Sequence, residues 1–162
     1  MRTGLTASRR VLLAWIAGTI VGAGCAAPES SDTRHAVAVE QRREQLRDRL
    51  VASLGDRYDE PLADASIDQI RGGSALYDLL CRSCHGPTGR GNGRSARMLL
   101  VPPPDLADPA TASFFSDQAK LRIIADGVEG SPMIGWGRML SEEERIAVLQ
   151  FMNTLVREPR VP

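Results

Sequence analysis

The chain has 162 residues, a formal net charge of zero and 4% aromatic residues. That length suits one small domain with extensions. The neutral balance gives no electrostatic support to a nucleic-acid role, and so few aromatics make a thin hydrophobic core unless something else supplies apolar surface.

Residues 1–25 read as an export signal. Arg2, Arg9 and Arg10 form the basic start, and the apolar run Val11 to Val21 is broken by Gly18 and Thr19. It is shorter than the ~20 residues a spanning helix needs. Ser8 to Leu13 resembles a twin-arginine signal, but an ordinary basic start is the preferred reading. Ile20 to Cys25 resembles a bacterial lipoprotein signal, which is cleaved before a cysteine that is then lipidated. It departs from that pattern in carrying Gly22 where leucine is typical. The resemblance implies a lipid on Cys25 and a protein held on the periplasmic side of a membrane. The other readings are a leader discarded with its cysteine, or an uncleaved anchor.

Residues 26–36 are small and polar, contain Pro28 and show no period, as expected of a flexible linker. From Val37 to Leu54 the chain is strongly charged, with Leu46, Leu50 and Leu54 at i, i+4 and i+8, a thin apolar stripe on a solvated helix. It reads either as a tether helix of up to about 27 Å that spaces the domain from a membrane, or as a surface helix packed on the domain. Gly55 can end it, and Asp59 to Asp64 with Pro61 reads as a second linker. Residues 26–66 are therefore expected to be linker and tether. The compact domain, 67–157, opens with a helix whose Ile70, Leu76, Tyr77 and Leu80 share one face. Gly72 and Gly73 are poor helix formers and fit there if another helix crosses closely.

That helix leads into Cys81-Arg82-Ser83-Cys84-His85. Two cysteines two residues apart and followed by histidine read as a c-type haem attachment site. Each thiol adds to one vinyl group of the porphyrin, so the sulfurs must straddle one edge of the ring, and one helical turn gives about that reach. His85 then falls where its imidazole can bind iron. Zinc would want four protein ligands, and only Cys25 and His35 remain, both near the N-terminus. A thioredoxin-like dithiol would want a βαβ pattern, whereas these flanks read helical.

Gly86 to Gly93 is a glycine-rich loop that lacks the preceding strand and the terminal Gly-Lys-Ser/Thr of a phosphate cradle. A short helix is expected over Ser95 to Leu100. Pro102-Pro103-Pro104 forces an extended segment, one of whose carbonyls is expected to accept the Nδ1–H of His85. Asp105 to Ser113 reads as loop. Ser116 or Asp117 caps a helix to Ala125, with Leu121 and Ile124 inward and Gly127 ending it. Ser141 and Glu144 form a capping box for the last helix, with Ile146, Leu149, Phe151, Met152 and Leu155 on its buried side. Residues 158–162 read as a tail.

The chain has five methionines. Met133 lies in a loop stiffened by Pro132 and flanked by glycines, where rigid scaffolds tend to place ligands. Met1 belongs to the leader, Met98 follows His85 too soon, Met152 sits among core residues as a gap filler, and Met139 borders the last helix. The loop position favours Met133 as sixth iron ligand.

Taken together, residues 67–157 resemble a monohaem class I cytochrome c domain. The shared features are a helix leading into Cys-x-x-Cys-His-Gly, a Gly-x-Gly-x-Gly loop, a proline cluster, and a methionine loop before a capped C-terminal helix. The resemblance implies an all-α fold wrapped around one covalent haem c, held by Cys81 and Cys84 with iron bound by His85 and Met133. It also places Gly73, Tyr77 and Phe151 near a crossing of the terminal helices. The family commonly has Met-Pro where this chain has Met133-Ile134.

An electron-transfer protein, not itself an enzyme, follows from that site. Iron closed by His and Met passes single electrons, and a thioether ligand raises its potential relative to bis-histidine ligation. The zero net charge gives little long-range steering and favours a tethered carrier working with a membrane-bound oxidoreductase complex, or a subunit of one. The alternative from another class is a haem-based gas or peroxide sensor or enzyme with an open sixth position, for which the chain offers no distal histidine or arginine constellation.

Overall fold

The computed structural model describes residues 31–156. Residues 1–25, read above as an export signal ending at Cys25, together with residues 26–30 and those after Val156, lie outside the described residues. Among the described residues six α-helices follow in order: α1 (Ser31–Leu54), α2 (Ile67–Leu80), α3 (Arg82–His85), α4 (Pro109–Ser113), α5 (Asp117–Asp126) and α6 (Glu142–Thr154), with 3-10 turns at Gly55–Arg57 and Ser95–Met98. Among the described residues the extended pairing is one isolated antiparallel bridge between Gly127 and Ile134. The fold is the all-α arrangement expected.

The core is the crossing of α2 and α6. Ser66 caps α2 and Ser141 caps α6, each in a capping box closed by Gln69 and Glu144 respectively. Each box satisfies two amides that a helix start otherwise leaves unpaired. Gly73 is where the helices touch: a Cβ there would overlap the Ala147 carbonyl. Gly72, expected to share this role, is exposed with open space beside it. Tyr77, Val148 and Leu149 are the largest fully enclosed side chains, and the Tyr77 and Phe151 rings meet at 5.3 Å in a tilted pair. On α6 the enclosed residues are Ala147, Val148, Leu149 and Gln150, while Ile146, Phe151, Met152 and Leu155 are half-buried. Gln150 is the surprise in this core. Its Nε2 donates to the Ala63 carbonyl at 2.9 Å, while its Oε1 is buried without a partner.

Three segments differ from the sequence reading. The charged helix starts at Ser31, so 31–36 is helix and not linker. Asp32 in its first turn complements the positive end of the helix dipole. Residues 59–64 are pinned, with Gln118 donating to the Glu60 carbonyl and Gln150 to that of Ala63. Residues 109–113 form α4 because Asp108 caps the Thr111 amide and Pro109 fills the first turn, where no N–H is needed.

Of the two readings of the charged helix, packing on the domain is what the structure shows. α1 lies against α5. Leu54 is buried, Leu46 and Leu50 half-buried, and Arg43 and Arg47 sit over the Phe114 ring at 3.7 and 4.9 Å from its centroid. No helix among the described residues is long and apolar enough to cross a membrane.

Candidate haem-attachment site

Cys81 closes α2 and opens α3. Its amide donates to Tyr77 O at 2.9 Å, and its carbonyl accepts from the His85 amide at 2.9 Å. Cys81, Cys84 and His85 therefore occupy a single helical turn, as their spacing predicts. Both thiols are unpaired and half-buried. Burial, with a smaller contribution from Cys84, pushes the Cys81 thiol up to about 11. A dithiol redox site works through a depressed thiolate pKa, so that reading loses its chemical basis. Among the described residues no three His, Cys, Asp or Glu side chains gather as a metal cluster, which also disfavours zinc. Two thiols spread along one turn suit two bonds to the edge of a ring.

His85 is held neutral by burial, which lowers its pKa below the ordinary imidazole value. Neutral imidazole is the form that binds metal. Its Nδ1 is buried without a hydrogen-bond partner, so the bond expected from a proline carbonyl is not made. The proline segment instead lies against the loop that follows the histidine: a Cβ on Gly91 would overlap the Pro103 carbonyl, and Gly91 has a φ of +67°. That loop folds back on α3, with the Gly91 amide donating to His85 O at 2.9 Å and the Gly93 amide to Cys84 O at 3.1 Å.

Tyr77 adds a contact that helical periodicity could not foretell. Its hydroxyl donates to the Gly86 carbonyl at 2.8 Å, pinning the residue directly after His85 to the α2–α6 crossing. The signal available in the sequence was a tyrosine on a core face one turn before the first cysteine, since a buried phenol needs a polar partner.

Met133 lies between α5 and α6, half-buried. Its carbonyl accepts from the Val128 amide at 2.9 Å and its amide donates to Ser131 Oγ at 3.1 Å, so the loop has a fixed backbone. Met98 and Met139 are exposed, at 80% and 64%. Met152 is half-buried within α6.

Residues 68–152, the stretch containing all four of these candidates, match the family model described as cytochrome c oxidase, cbb3-type, subunit III. The chain belongs to this family. As a cytochrome c domain it carries covalently bound haem c with iron and transfers electrons through it. The buried partnerless nitrogen on His85, the two free thiols on one turn and the close-laid glycine loop fit that group. A structure of the reducing HAO-like protein complex of Kuenenia stuttgartiensis is similar to this chain at 25% identity and a TM-score of 0.53, covering 60% of this chain. The chain spans 48% of the length of that neighbour. No curated protein matches it.

Proposed function

We propose that the chain is a single-electron carrier, exported and held at the periplasmic face of a membrane by a lipid on Cys25, serving a membrane-bound oxidoreductase complex. Cys81 and Cys84 hold the haem by thioether bonds, and His85 and Met133 bind its iron. The observation that carries this reading is the unpaired Cys81, Cys84 and neutral, half-buried His85 on one turn of a cytochrome c domain. The haem supplies one-electron iron chemistry. The protein's own part is to keep His85 neutral, to hold the loop after it through Tyr77 and the Gly91 and Gly93 amides, and to present Met133 from a loop with a fixed backbone. With His85 and Met133 both bound to the iron, no position would be open for substrate, which favours electron transfer over gas or peroxide chemistry.

The test is spectroscopic. Haem should stay with the chain on a denaturing gel, and Met133→Ala should abolish the weak sulfur-to-iron absorption of the oxidised protein, lower its potential and let carbon monoxide bind the ferrous form. Met139→Ala should change none of these. Loss of the band in the Met139 variant alone would reassign the ligand, and retention in both would favour the open-site reading. Mass spectrometry of the mature N-terminus should show a lipidated Cys25, and a chain starting at Ala26 or later would refute the anchor.

A further inference from the structure

α2 buries one side and leaves the other to water. Gly73 and Tyr77 lie on the buried side, whereas Gly72, Ala75 and Leu79, spaced i, i+3 and i+7, are exposed on the opposite one. That spacing is the one a helix uses for a side it buries. Leu79 is 76% exposed, and nothing lies within 4 Å of where a Cβ on Gly72 would stand. A projecting leucine therefore shares a stripe with a gap, and nothing among the described residues covers either. Charges flank the stripe in alternating order, Asp68, Arg71, Asp78 and Arg82, all of them exposed. Within the chain they pair as neighbours, Arg71 with Asp68 at 2.8 Å and Arg82 with Asp78 at 3.3 Å. Such pairs support an isolated helix, which accounts for the charges but not for the leucine and the gap between them. The order minus, plus, minus, plus has a further property: turned end for end, it becomes its own complement.

We propose that this face of α2 pairs with the same face of a second copy of the chain, the two helices antiparallel about Ala75 on a two-fold axis. In that register each Leu79 projects over Gly72 of the other copy, where the missing side chain leaves room. Each Arg71 meets Asp78 of the other copy, and Asp68 at one end lies against Arg82 at the other. Parallel pairing would set every charge against its own kind, so the pattern admits one direction only. A two-fold contact uses the same patch on both copies and must be self-complementary, which this patch is in both shape and charge.

Exposed ion pairs contribute little energy, but across an interface they decide which partner and which orientation are accepted. The apolar part comes from the two leucines. One helix face is smaller than the about 800 Å² per partner of a standard interface, so the pairing is weak and reversible. Copies confined to one membrane surface, as the lipid on Cys25 proposed above would confine them, would meet at high local concentration. α6 crosses α2 at Gly73, on the side away from this stripe, so pairing leaves the core of each copy intact.

The experiment is analytical ultracentrifugation of the haem-loaded full chain over a wide concentration range. Detergent micelles are kept in excess, so that a lipid does not itself gather copies. Wild type should pass from monomer to dimer as concentration rises. Leu79→Ser should weaken the dimer by about tenfold or more. Arg71→Asp and Asp78→Arg should each weaken it as much, because each sets like charges across the two-fold axis. A mixture of those two variants should regain the dimer, because every facing pair is then opposite in sign. An effect confined to one helix cannot produce that rescue, since each variant keeps its own like-charged neighbours. A wild type that stays monomeric throughout overturns the proposal. So does a dimer that both single charge variants leave unchanged, or a mixture that fails to pair although each variant holds its haem. A monomeric chain that binds washed membranes from its own cells, and loses that binding in the Leu79→Ser variant, would give the face to a different partner.

Discussion

Tyr77 joins the core to the site through one hydroxyl. The side chain is fully enclosed and donates to the Gly86 carbonyl. In the chain without haem, burial first and then the charges of Cys81 and Asp78 push its pKa from 10.0 up to about 12, and the Cys81 part falls away once that sulfur is a thioether. A folded-state value above the unfolded one means stability that is fully present below pH 10 and lost as the pH rises from 10 towards 12. At about 1.4 kcal/mol per unit, the loss is on the order of 2–3 kcal/mol. Tyr77→Phe should cost about 1–3 kcal/mol at neutral pH, because the Gly86 carbonyl stays buried without its donor. It should also remove the alkaline loss. Denaturant titrations at pH 7 and pH 11.5 check both, and a variant that weakens across that range as much as wild type would show that another group titrates. The sequence made this residue legible as core, yet its hydrogen bond depends on a loop returning nine positions later, which local pattern does not encode.

At the scale of elements, two adjacent glycines of α2 separate backbone propensity from packing. Gly72 faces open space, so Gly72→Ala should gain up to about 1 kcal/mol from helix propensity alone. Gly73 meets the Ala147 carbonyl, so Gly73→Ala must push α6 away and should cost about 1–3 kcal/mol or more despite the same propensity gain. Thermal unfolding of the two haem-loaded variants should move the midpoint in opposite directions, and movement in the same direction would mean the helices do not cross at Gly73. The helices themselves were legible wherever period and cap agree, as with Ser116 for α5 and Ser141 with Glu144 for α6. So was the attachment turn, because covalent chemistry fixes its spacing. What escaped was set by tertiary contact: Gln150 is buried because it reaches Ala63, 87 positions earlier, and the linker it holds looked free for the same reason. α4 is a different miss, since Asp108 followed by Pro109 is a local start signal that the surrounding loop-like composition masked.

For the whole molecule, the strength with which α1 is held on the haem domain decides what a tether on Cys25 would do. The exposed Arg49–Glu129 pair at 3.7 Å contributes little. The stronger hold is the Phe114 ring, which packs edge-on against Phe115 at 4.8 Å and carries Arg43 and Arg47 above it. Each cation over an aromatic face is worth about 0.5–1 kcal/mol at exposed sites, so this ring is the main removable part of the contact on the N-terminal side of Leu54. Phe114→Ala should therefore release α1 without unfolding the domain, because the α2–α6 core and the attachment turn do not use that ring. Hydrogen exchange should rise severalfold across residues 31–50 in the variant, while exchange in α2 and α6 and the haem spectrum stay as in wild type. A released helix could then extend from a lipid on Cys25 and let the domain range further from the membrane, so exchange with a partner anchored nearby should fall through a lower effective concentration. Unchanged protection of α1 would mean that Leu46, Leu50 and Leu54 alone hold it. Loss of protection in α2 as well would mean that α1 is part of the domain's cooperative unit and not an appendage that the tether can peel away.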